Sequence, residues 1–115
     1  MAIDILQSLD IIEVMENFIS KRRPPEHIRK KVDLAYKIEE QSIIIFEIRQ
    51  RLLNPEKIIE CNVAKATYVH TKKCWKIFWQ RSDLKWHSYS PKPTVKILDE
   101  FVKLVDEDKH YCFWG

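Results

Sequence analysis

Apolar residues recur at three- and four-residue spacing through Leu6, Leu9, Ile12, Met15, Phe18 and Ile19, with Asp10, Glu13 and Asn17 between them. That period predicts an amphipathic helix with one apolar stripe for a core. Pro24-Pro25 ends it, because proline has no N–H to donate and its ring collides with the preceding turn. Pro25 is also placed to open one further helical turn, through Arg29. Beyond that turn the period changes to two. Val32, Leu34, Tyr36 and Ile38 alternate with Lys31, Asp33 and Lys37, as in a half-buried strand, and Glu39-Glu40-Gln41 is its turn.

A second strand is expected over 42–51, where Ile43-Ile44-Ile45-Phe46 leads into the alternation of Glu47, Ile48 and Arg49. Residues 52–57, containing Asn54-Pro55, read as a loop. A third strand covers 58–69, with Ala64 and Ala66 leaving room on one face for an aromatic neighbour or a helix. Thr71-Lys72 turns it into a fourth strand, Lys73-Cys74-Trp75-Lys76-Ile77-Phe78-Trp79-Gln80-Arg81, and a polar break leads to a fifth, Lys85-Trp86-His87-Ser88-Tyr89. Pro91 and Pro93 end the sheet. Thr94 is the expected N-cap of a closing helix whose stripe is Ile97, Leu98, Phe101, Leu104 and Val105.

Helix, five-strand antiparallel meander and helix make an α+β fold. It solves its burial problem if both helices lie on one sheet face and leave the other partly open. Alternation in the fourth strand assigns Trp75, Ile77 and Trp79 to one face and Lys76, Phe78 and Gln80 to the other, so one face serves as core while the other meets a partner.

Composition narrows the class. The 115 residues suit one domain, 1–115. With 45% hydrophobic residues and four Trp, the chain is not of disordered type. A single Gly leaves no glycine-rich loop to cradle phosphates on backbone amides, which removes dinucleotide and P-loop chemistry. No apolar run reaches the roughly 20 residues of a membrane helix, and no basic region precedes a short apolar core as in a signal peptide. No membrane association is expected, and the cytoplasm is the expected location. Cys61, Cys74 and Cys112, odd in number and without close pairs, suit reduced thiols better than a disulfide framework.

The net charge of +3 conceals an uneven distribution. Residues 1–20 carry Asp4, Asp10, Glu13 and Glu16 and no Lys or Arg, whereas 61–96 carry Lys65, Lys72, Lys73, Lys76, Arg81, Lys85, Lys92 and Lys96 against Asp83 alone. Acidic residues return in Asp99, Glu100, Asp106, Glu107 and Asp108. Any positive field therefore comes from the sheet and from the clusters Lys21-Arg22-Arg23 and Arg29-Lys30-Lys31. Asp106-Glu107-Asp108 opposes the helix dipole, so these side chains are expected to cap a following turn or meet cations from elsewhere. Phe113-Trp114-Gly115 reads as an apolar tail docked on the fold.

The chain resembles a family of short bacterial proteins catalogued only as a domain of unknown function, numbered three thousand and twenty-four. The resemblance runs from about Phe18 to Gly115. It rests on Arg23-Pro24-Pro25, Phe46-Glu47 with Arg49, Val63-Ala64 with Tyr68, Trp75 through Trp79 with Arg81, Trp86-His87 with Tyr89, Asp106 with Asp108, and Phe113-Trp114-Gly115. It implies a shared fold and assigns no substrate, cofactor or catalytic residue. Cys112 departs from a position usually aliphatic in that family, which argues against a required thiol there.

Two functional readings follow from the residues. In the first, the aromatic-basic hairpin is a binding or interaction module whose site residues are Lys76, Phe78, Arg81, Lys85, His87 and Tyr89. Its rings stack on unpaired bases while its cations neutralise phosphates, so the partner is single-stranded nucleic acid or, alternatively, an acidic protein surface. The plainer account of the same residues is core Trp and solvated Lys. In the second, Glu47 and His87 act as base and acid in a metal-independent ribonuclease, with Arg49 or Arg81 stabilising phosphate charge. Its plainer counterpart is a cross-strand salt bridge. His70 with Cys74, and His110 with Cys112, match no common structural zinc spacing, and no metal or cofactor is expected.

Overall fold

The computed structural model describes residues 3–51 and 53–114. Helix α1 spans Ile5–Arg22. Asp4 caps it by accepting the Gln7 N–H at 2.7 Å, Lys21 and Arg22 complement the dipole in its last turn, and the chain leaves it extended at Arg23, as a residue before proline prefers. A single 3-10 turn over Glu26–Ile28 follows, opened by Pro25.

The sheet is a meander of β1 (Val32–Glu39), β2 (Ser42–Arg51), β3 (Asn54–Val69), β4 (Cys74–Gln80) and β5 (Trp86–Ser88), antiparallel throughout. A two-residue strand, β6 (Thr94–Val95), pairs with Trp75 and Lys76 of β4, on the edge whose other half β5 occupies. Helix α2, Leu98–Glu107, closes the fold.

Several expectations are corrected. The 52–57 loop is strand from Asn54 onward; Leu52 lies outside the described residues. The strand tolerates Pro55 because 55–57 fall in a register shift that has no partner in β2, and β4 pairs only with 64–69, so neither edge of β3 needs a proline N–H there. Thr94 is a strand residue, so the sheet resumes after Pro91 and Pro93 and does not end there, and Ile97, placed in the helical stripe, is an exposed residue that precedes α2 without a side-chain cap bond. Leu6, Leu9 and Ile12, read as core, are 80%, 61% and 42% exposed, and the core side of α1 is Ile11, Met15, Phe18 and Ile19. The helix carries two apolar stripes, and sequence spacing alone does not rank them.

Both helices cover one sheet face. Leu34, Ile43, Ile45, Ala64, Ala66, Trp75, Ile77 and Val95 join Ile11, Met15 and Phe18 of α1 and Leu98, Phe101 and Val105 of α2 in one hydrophobic cluster. Ala64 and Ala66 are fully buried there, opposite Trp79 and Ile77 of β4. An extra residue at Val63 shifts the β2–β3 register between Ile45 and Phe46, a bulge that bends the strands and adds twist. No helix of the described residues is long and apolar enough to cross a membrane.

Candidate functional site

The face opposite the helices is built by alternation on the 64–69 side of the β3 bulge. One row crosses the sheet in register as Lys37, Ile44, Lys65, Phe78 and Ser88, and the next as Glu39, Ser42, Thr67, Lys76 and Thr94. The four-residue apolar run of β2 thus feeds both faces: Ile43 and Ile45 enter the core, while Ile44 and Phe46 are buried on the open side, Phe46 with the Lys37 ammonium over its ring.

Lys65 stands at the centre of the open face. Its ammonium lies 5.0 Å from the ring centroids of both Phe78 and Trp86, within the range of cation–π attraction. It forms no ion pair among the described residues, and its burial between the rings depresses its pKa, partly opposed by the field of Glu39. Lys37 makes the equivalent contact on Phe46, at 5.1 Å, but is also neutralised by Glu60 at 3.3 Å and Glu39 at 3.6 Å. A shallow depression of about 620 Å³ runs beside Lys65, lined by Glu39, Glu40, Ser42, Ile44 and Trp86. A larger groove, about 920 Å³, lies between the helices on the other side of the sheet. Its Asp10, Glu13, Asp99 and Asp106 alternate with Lys21, Arg22 and Lys103, and Arg22 is already held by Asp106, so it presents no converging set of one charge.

The structure divides the residues named from sequence. Lys76 and Phe78 share the open face. Arg81 and His87 belong to the helix side, flanking Trp79 at 5.6 and 6.5 Å, and Lys85 is exposed where the hairpin turns. Tyr89 corrects the expectation of a surface ring: it is 1% exposed, packs 4.8 Å from Phe113, and its hydroxyl pKa is raised by burial. Sequence reasoning passed over Lys65, Trp86 and Lys37. The signal was present in β3, because once Ala64 and Ala66 face a helix, Lys65 must point the other way.

Glu47, Arg49, Arg81 and His87 do not form one cluster. Glu47 holds Arg49 two residues along its own strand, through hydrogen bonds of 3.2 Å from both Nε and a terminal nitrogen. His87 Nε2 lies 2.9 Å from Asp83, whose pKa is lowered by the Lys85 N–H and then by His87. Glu47 is in register with Cys61, and His87 through Trp79 with Ala64, so three strand spacings and three residues of rise separate their Cα atoms by roughly 17 Å. No hydrogen bond or ion pair joins the two pairs among the described residues.

The cysteines Cys61, Cys74 and Cys112 are free, and burial raises the Cys112 pKa, keeping a protonated thiol. Among the described residues no group of three or more His, Cys, Asp or Glu is placed to hold a metal ion.

The architecture defines a class: a small α+β protein with an antiparallel meander, two helices on one face and an uncovered aromatic-basic second face. Residues 4–115 match the family described as a domain of unknown function (DUF3024), and the chain belongs to that family. No curated protein and no solved structure matches it.

Proposed function

We propose that this protein is a binding module whose open sheet face takes up an anionic chain, with single-stranded nucleic acid as the partner. The observation that supports this reading is Lys65: a cation that forms no ion pair among the described residues, held between two partly buried rings in the middle of a sheet face that no helix covers. Aromatic edges beside unpaired ammonium groups suit bases that stack and phosphates that need neutralising. An acidic protein surface would use the cations of Lys65 and Lys76 and leave the π-surface of Phe78 and Trp86 idle.

The test is fluorescence anisotropy of a labelled mixed-sequence single-stranded RNA, with purified protein, chelator and low salt. A stable rise is expected, weakening linearly in log affinity against log salt as counterions are released, and lost in Lys65→Met combined with Lys76→Gln. A flat trace overturns the reading, as does displacement by polyglutamate but not by unlabelled RNA. A decay below the starting value would report cleavage and overturn the reading of a binding module.

A further inference from the structure

The first half of α1 turns Ile5, Leu6, Leu9 and Ile12 to solvent, 80%, 80%, 61% and 42% exposed, away from the side that carries Ile11, Met15, Phe18 and Ile19. Single exposed leucines are ordinary, but four over two helical turns make a continuous stripe of the kind that marks an interaction surface. Its surroundings carry one sign of charge: Asp4, Asp10, Glu13 and Glu16 are exposed, and no Lys or Arg occurs before Lys21.

A second apolar patch occupies the tip of the β2–β3 hairpin. Leu53 is 97% exposed and Ile59 39%, and both line a depression together with Arg49 and Arg51; Ile58, 66% exposed, is on the other face of the same strand. Arg51 and Lys57 form no ion pair among the described residues, and neither does the exposed Glu56 beside them, so the tip carries two free cations against one free carboxylate.

The two patches lie at opposite ends. The last turn of α1 is tied to the start of β1 by Arg23 and Asp33, and the start of β1 is in register with Arg49. Glu16, about two turns earlier in α1, acts on Tyr36 in the middle of β1, so the helix runs back along β1 and its first turn points away from the hairpin tip; the molecule is 46 Å in its long dimension.

We propose that the acidic apolar stripe of α1 in one copy of this chain docks on the basic apolar β2–β3 tip of a second copy, head to tail. Charge complementarity selects this pairing. Two α1 stripes packed antiparallel would set Asp10, Glu13 and Glu16 of each copy against the same acidic surface of the other, at an electrostatic cost. A head-to-tail contact is heterologous: each docked pair keeps one free stripe and one free tip, and assembly continues into a ring or an open chain.

Sedimentation of the full chain over a rising concentration series tests this. The mass average is expected to climb past two copies. Leu9→Asp leaves only a working tip, and Arg51→Glu with Lys57→Glu leaves only a working stripe, so each variant alone is expected to remain monomeric. Mixed in equal amounts they are expected to form a dimer and stop there. A wild-type chain that stays monomeric throughout overturns the proposal, as does a tip variant that still dimerises, or a mixture that does not. Circular dichroism checks that each variant folds, and Ile5→Asp with Leu53→Asp, at two very exposed positions, supplies a second pair for the same mixing experiment.

Discussion

The carboxylate of Asp108 accepts the backbone N–H of Trp114 at 2.9 Å with one oxygen and that of Phe113 at 3.1 Å with the other. The chain doubles back at the end of α2 so that its tail packs under the helix that precedes it. Trp114 completes the closure by donating its indole N–H to the Val105 carbonyl at 2.7 Å. The Arg22 guanidinium lies 4.3 Å from its ring centroid and donates to Asp106 at 2.7 Å. Acidic residues at a helix C-terminus are thereby explained: Asp108 caps the following turn, and Asp106 meets a cation from α1.

Asp108 has two separable jobs, since its backbone is left-handed, with φ 41°, and its side chain holds two amides. Losing both acceptors costs about 1–3 kcal/mol, and a Cβ in the left-handed region about 1–2 kcal/mol where no polar side chain compensates. Denaturant unfolding is expected to rank wild type above Asp108→Asn, which keeps one acceptor and tolerates the backbone, then Asp108→Gly, then Asp108→Ala. Equal losses in the glycine and alanine variants would show that the φ angle carries no cost.

Ala66 is fully buried between Ile43 and Ile77 in the register of three strands, on the side where the helices pack. Ala66→Leu adds volume at a fully buried position and is expected to cost about 1–3 kcal/mol. The denaturation midpoint should fall with an unchanged m-value. A neutral outcome would mean that α1 and α2 shift to accept the larger side chain.

The alternation that fixed the sheet was legible because one face is core: Trp75, Ile77, Ala64 and Ala66 had to point together, and Lys76 and Phe78 had to point away. The surplus apolar residues of α1 were harder. Leu6, Leu9 and Ile12 satisfy helical spacing as well as Ile11, Met15 and Phe18 do, and only packing against the sheet decides between them. The start of β3 was hidden by Asn54-Pro55, which signals a turn locally yet is permitted on an unpaired edge. Part of the candidate face was missed for a related reason: Lys65 and Trp86 are distant in sequence, and it is the β3–β4–β5 register that brings them together.

Acid should weaken the junction between α1 and the sheet. Arg23 donates two hydrogen bonds of 2.7 Å to Asp33, and these, with the Leu34 N–H, hold the Asp33 pKa below the usual carboxylate range despite an opposing desolvation effect. A depressed carboxylate stabilises the fold fully above its unfolded value, about 3.9, and loses that contribution as pH falls through the folded value. Asp33→Asn should therefore melt below wild type at neutral pH, with the gap closing in stronger acid. A gap independent of pH would assign the loss to packing instead.

Lys65 separates function from stability most sharply. Its pKa is lowered, so the folded state disfavours its charge, and that penalty is present at neutral pH and disappears once the lysine is neutral in both states, above about pH 10.4. Methionine keeps an unbranched, polarisable chain against Phe78 and Trp86 without the charge. Lys65→Met is accordingly expected to melt above wild type at neutral pH, the difference shrinking in alkali, while binding to the open face is weakened. The opposing contribution is the attraction of the ammonium to two rings, about 0.5–1 kcal/mol each at exposed sites. If that attraction wins, the variant melts lower at neutral pH, and Lys65 is a structural clamp on Trp86. A higher melting temperature with lost binding is the pattern of a side chain kept at a cost for the partner it meets.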